Sequence, residues 1–96
     1  MIKIYLDDER KTPDGWERTW TAFETIQMLH RNKGNVTHLS LDHDLGLNPR
    51  VGNGYDVLLW LEENPEYAPA DINIHSANPA VWKRMTQAIE SINRRR

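Results

Sequence analysis

Three short stretches hold most of the side chains able to do chemistry. Asp7-Asp8-Glu9-Arg10 follows the apolar run Ile2–Leu6, Asp42-His43-Asp44 follows Val36–Leu41, and His75-Ser76-Ala77-Asn78-Pro79 follows Ile72-Asn73-Ile74. Each run is largely β-branched or apolar and gives way to a polar cluster at its C-terminal end, the design by which open α/β sheets build ligand sites along one rim. If the three runs are parallel neighbours, that rim collects Asp7, Asp8, Asp42, His43, Asp44, His75 and Ser76.

Carboxylates crowded together repel one another unless a cation sits among them, and an all-oxygen set suits Mg²⁺ or Mn²⁺. Asp8 and Asp42, with Asp7 or Asp44, are therefore the candidate metal ligands. Asp8 is preferred over Asp7 because one of two adjacent residues usually turns away. The competing assignment makes one acid a loop cap and pairs another with Arg10. His75 and His43 are candidates for proton transfer near neutral pH, against a purely structural hydrogen-bonding role. Asp44 is either a ligand or the group that holds His43 in one tautomer. Ser76, Asn78 and Arg10 offer donors to phosphoryl oxygens, although Asn78 also fits a helix N-cap. Asp56 is expected in the first turn of a helix, where a carboxylate is favoured in any case. His38 and His30 are assigned to structural or surface roles, and the four tryptophans mostly to packing.

The elements that must position these groups can be read in order. Ile2, Ile4 and Leu6 alternate with Lys3 and Tyr5, the pattern of a strand with one drier face. Residues 11–15, Lys-Thr-Pro-Asp-Gly, are turn chemistry, and residues 16–20 suit a short edge strand. Thr21-Ala22-Phe23-Glu24 has the form of a capping box. The helix it opens places Ala22, Ile26 and Leu29 on one stripe with Phe23 beside them, and Gly34 offers a left-handed stop. In the following strand, Leu39 and Leu41 share one face and Val36, His38 and Ser40 the other. A long loop over residues 43–53 leads to an apolar helix from about Tyr55 to Glu63, ended by Asn64-Pro65. A short strand at residues 71–75 and a last helix after Asn78-Pro79, with Val81, Met85, Ala88 or Ile89, and Ile92 at helical spacing, complete the chain. The order β-(β)-α-β-α-β-α predicts mostly parallel strands with right-handed crossovers.

An acidic pair after the first strand, an aspartate ending a central strand and a hydroxyl residue after the next are the constellation of receiver domains; here they are Asp7-Asp8, Asp42 and Ser76. The closer resemblance is to the cyclic-phosphate processing receiver domain family, whose pattern is matched by Leu6 to Arg10, Ser40 to Gly46, Gly54 to Asp56 and His75 to Pro79. The resemblance implies a shortened receiver, or flavodoxin-like, three-layer α/β sandwich of about four mostly parallel strands and three helices. It also implies an activity on cyclic phosphates. Relative to an ordinary receiver, the helix between the first two strands is missing, as are a fifth strand and its lysine. Phosphorylation would therefore have little to relay, and the added histidines point toward catalysis.

Composition sets the bounds. Ninety-six residues, 39% hydrophobic and 27% charged, make one soluble domain spanning 1–96. A net charge of −2 predicts no bulk attraction to duplex nucleic acid or to a membrane surface. No apolar run reaches the roughly 20 residues of a spanning helix, and the first residues do not read as a secretory signal. With no cysteine, disulfides and thiolate metal sites are excluded. The expected protein is cytoplasmic and binds a small cyclic-phosphate or nucleotide ligand, with homo-oligomerisation left open. The function expected is a metal-assisted phosphoesterase acting on a cyclic phosphate or cyclic nucleotide. Its rival is a non-enzymatic receiver-like module, in a bacterial or phage setting, that sequesters a nucleotide signal or docks on a protein.

Overall fold

The computed structural model describes residues 1–7, 10–42, 53–75 and 79–95, with the side chains of 79 and 80 excepted. Among them are four strands and three helices in an α/β receiver-like arrangement: β1 (Ile2–Leu6), β2 (Glu17–Thr19), α1 (Ala22–Arg31), β3 (Val36–Leu41), α2 (Gly54–Glu63), β4 (Asp71–Ile74) and α3 (Pro79–Arg95). The sheet runs β2-β1-β3-β4 with every neighbouring pair parallel. The class, the element order and the parallel pairing are those expected from the sequence. The described residues also include a 3-10 turn at Pro65–Tyr67, which had no forerunner there.

Alternation along the strands sorts the side chains into two faces. In register, Ile4 pairs with Leu39, which pairs with Ile72; Leu6 pairs with Leu41, which pairs with Ile74. Ile4, Leu6, Leu39 and Leu41 are fully buried in one cluster with Ala22 and Leu29 of α1, Val57, Leu58 and Leu61 of α2, and Met85, Ala88 and Ile92 of α3. Each of the larger side chains, the Ile, Leu, Val and Met residues, contributes roughly 1.5–3 kcal/mol by leaving water. The intervening positions, Lys3-His38-Asp71 and Tyr5-Ser40-Asn73, line up across the other face. There Trp16 meets Tyr5 edge-on at 6.1 Å and His38 at 5.9 Å, and His38 Nε2 lies 3.2 Å from Asp71 Oδ2. His38 is thus structural, as expected, and His30 stacks on Tyr67.

Three local readings differ from the sequence. Val36 joins the core beside Leu39 and Leu41 instead of facing away with Ser40. Ile2 pairs with Val36 but Lys3 with His38, so Thr37 is an extra residue that flips the parity of the strand's start. In α1 the buried members are Ala22, Thr25 and Leu29, whereas Phe23 is 66% exposed. Thr25 is accommodated in the interior because its hydroxyl meets that of Thr19 at 2.6 Å and donates to the Thr21 carbonyl at 3.0 Å. Trp20 and Trp82 lie outside the core, each about half exposed; the guanidinium of Arg18 lies 4.0 Å over the Trp20 ring.

Helix ends are fixed locally. Thr21 accepts from the Glu24 amide, and the Glu24 carboxylate accepts from the Thr21 hydroxyl instead of reaching the cap's own amide. The fully reciprocal box is at α2, where Asn53 and Asp56 exchange side-chain-to-backbone bonds of 2.9 and 3.1 Å. Asp56 is therefore a capping residue. Gly34 has φ +83°, the left-handed conformation expected after α1.

Candidate functional site

The sheet itself delivers the site. Immediately beyond β1, β3 and β4, one further backbone bond holds each following residue to the neighbouring strand. The Asp7 amide donates to Thr19 O (3.2 Å), the Asp42 amide to Leu6 O (3.0 Å) and the His75 amide to Leu41 O (3.0 Å). Because the strands are parallel, all three residues emerge at one edge, as the sequence pattern required. One ligand atom from each of Asp7, Asp42 and His75 lies within 4.8 Å of the others.

Asp7 is the anchor. Its side chain is buried, and both carboxylate oxygens are held: Oδ1 accepts the Arg10 amide at 3.0 Å, and Oδ2 lies 3.1 Å from His75 Nε2 and 3.9 Å from Arg10 Nε. Asp7 thus caps the loop and pairs with Arg10, the two roles weighed against metal ligation, and it is also turned into the cluster. Its neighbour Asp8, the ligand preferred from sequence, lies outside the described residues, as do His43, Asp44, Ser76 and Asn78.

His75 has both ring nitrogens engaged. A carboxylate only accepts, so the 3.1 Å contact with Asp7 places the proton on Nε2; Nδ1 then accepts from the Ser40 hydroxyl, 2.6 Å away. Tyr5 stacks on the imidazole at 4.4 Å between centroids with the planes 3° apart. Burial pushes the His75 imidazole below its ordinary value of 6.5, and this outweighs the opposing attraction and hydrogen bond of Asp7. The ring is therefore neutral at pH 7. Arg10 closes the arrangement by donating from Nη1 to the His75 carbonyl at 2.6 Å, while Arg18 donates to the Arg10 carbonyl. Arg10 stays half exposed at the rim.

The donor set suits a divalent cation. Oxygens about 2.0–2.1 Å from Mg²⁺ stand roughly 3 Å apart in cis and about 4.2 Å in trans. Asp7 and Asp42 each bring a carboxylate oxygen within 4.8 Å of the other, while His75, with its proton on Nε2, holds Asp7 from behind. Asp42 itself is fixed from behind by Gly54, whose amide donates to the Asp42 carbonyl at 3.0 Å. A Cβ on Gly54 would stand 2.5 Å from that carbonyl oxygen, so only glycine allows α2 to begin here.

Ser40 is the residue that sequence reasoning did not assign. The signal was present, since Ser40 shares the strand parity of Asp42, but its pairing with His75 depends on β3 and β4 being neighbours. The family model for the cyclic-phosphate processing receiver domain matches residues 2–91. The chain belongs to that family. The match spans all four strands and most of α3, so this receiver domain includes every described element of the rim. No curated protein and no solved structure matches the chain. Among the described residues, no helix of this receiver domain is long and apolar enough to cross a membrane.

Proposed function

We propose that this receiver domain is a metal-assisted phosphoesterase that opens a cyclic phosphate or cyclic nucleotide. The observation that carries the reading is the convergence of Asp7, Asp42 and His75 from three separate strand ends. The family name supplies the substrate class. Asp7 and Asp42, with Asp8 and Asp44 from the adjoining loops, would hold Mg²⁺ or Mn²⁺. Such a cation polarises phosphoryl oxygens and lowers the pKa of water. Arg10, Ser76 and Asn78 hold the phosphoryl group by charge and hydrogen bonds. His43 is the proton carrier, and His75 orients the Asp7 carboxylate. Because both nitrogens of His75 are committed, it works on the Asp7 side, and the leaving oxygen falls to His43. Water is the attacking group.

The test is turnover. The purified chain is incubated with 2′,3′- and 3′,5′-cyclic nucleotides and Mg²⁺ or Mn²⁺, and ester opening is followed. Turnover that is lost in Asp42→Ala and His75→Ala, with the circular dichroism unchanged, supports the assignment. Tight nucleotide binding without turnover would replace it with the sequestering module.

A further inference from the structure

The rim acids are held from beneath by a chain of side chains on the sheet face opposite the helices. We infer that Ser40 is a positioning residue, acting through His75 to fix the Asp7 carboxylate for the cation; this rests on the cation reading above.

Three observations lead there. First, Ser40 is buried in mid-sheet between Tyr5 and Asn73, so its hydroxyl is not at the rim where a substrate would sit. Second, its bond to Nδ1 is short, 2.6 Å, and the Nε2 proton on the far side of the ring points at Asp7 Oδ2. Third, the imidazole is gripped in its plane by Tyr5, so the two hydrogen bonds decide how it is turned within that stack. A ring free to turn would no longer present its Nε2 proton to Asp7. Asp7 Oδ2 would then lose its 3.1 Å contact with the ring.

The same chemistry explains why serine suits the position. A hydroxyl can donate to neutral Nδ1 and accept from Nδ1–H without any heavy atom moving. Outer groups that orient a metal ligand typically alter metal affinity by about 10–100-fold when removed.

The experiment uses Mn²⁺ alone as the probe, titrated by calorimetry into the metal-free chain. Ser40→Ala and the nearly isosteric Ser40→Cys, whose thiol is a weak donor, should bind Mn²⁺ about tenfold to a hundredfold more weakly. Ser40→Thr, which keeps the hydroxyl, should restore most of the affinity. In ¹⁵N-histidine spectra of the metal-free protein, the Nδ1 signal of His75 should move in Ser40→Ala and stay put in Ser40→Thr. Wild-type binding that Ser40→Ala and Ser40→Cys leave intact would overturn this inference alone. An unshifted Nδ1 signal in Ser40→Ala would do the same. Failure of the wild-type chain to bind Mn²⁺ would overturn the cation reading and this inference with it.

Discussion

Replacing Gly54 with alanine separates two physical effects of opposite sign. Glycine at the start of a helix is normally a weakness, and alanine in its place raises helix propensity by up to about 1 kcal/mol. At this position the added Cβ would lie 2.5 Å from the Asp42 carbonyl oxygen and 3.1 Å from both Leu41 Cβ and Met85 Cε. Met85 is a flexible end that can yield, but the carbonyl is backbone and must retreat by about 0.9 Å to reach the 3.4 Å of ordinary contact. Overpacking of this kind costs roughly 1–3 kcal/mol, and loss of the Gly54 N–H to Asp42 O bond adds about 1 kcal/mol. Net of propensity, Gly54→Ala should destabilise by about 2 kcal/mol. For a domain of this size that lowers Tm by roughly 8–16 °C. A thermal melt followed by circular dichroism reads this directly, and Mn²⁺ titration of the same protein should show weakened binding because Asp42 moves with its carbonyl. A variant that melts at or above the wild type would refute the close approach of α2 to the Asp42 backbone.

Other outcomes follow from single contacts. Thr25→Val removes the partner of the buried Thr19 hydroxyl and should cost about 1–3 kcal/mol in urea unfolding. Adding Thr19→Val should recover part of that loss, and strictly additive losses would argue against the pair. Leu29→Ala, at a fully buried position, should cost about 2–5 kcal/mol, whereas Phe23→Ser should stay within about 0.5 kcal/mol of wild type. A large loss at Phe23 would place that ring in the core after all. The lowered pKa of His75 gives a pH dependence in the metal-free protein. The unfolded chain takes up a proton near 6.5 that the folded chain resists, so stability is intact above that value and falls as the pH drops below it. Urea midpoints at pH 7.5 and 5.5 should therefore converge between wild type and His75→Gln on the acid side, and wild-type stability that rises on acidification relative to the variant would contradict a buried neutral ring.

Much of the fold and part of the site were legible in the chain. Alternation in β1, the turn residues 11–15 and the cap at Thr21 placed the first half of the molecule, because period and capping are properties of neighbouring residues. The grouping of Asp7, Asp42 and His75 was also anticipated, since parallel strands ending in polar residues must share a rim. The exposure of Phe23 was not legible: an apolar residue beside a helical stripe carries no mark of which side the sheet lies on. Nor was the entry of Val36 into the core, which depends on one extra residue, Thr37, fitted against β1.

The sequence by itself determined which residues would sit at strand ends, because local periodicity and turn chemistry fix where each strand stops. Tertiary structure decided which side chains touch: that Asp7 turns inward, that Arg10 reaches the His75 carbonyl, and that Ser40 lies beneath His75. Those contacts join residues 35 to 68 positions apart. They exist only because hydrogen-bond register sets β1, β3 and β4 side by side, and register between distant strands is settled by packing the whole sheet against its helices.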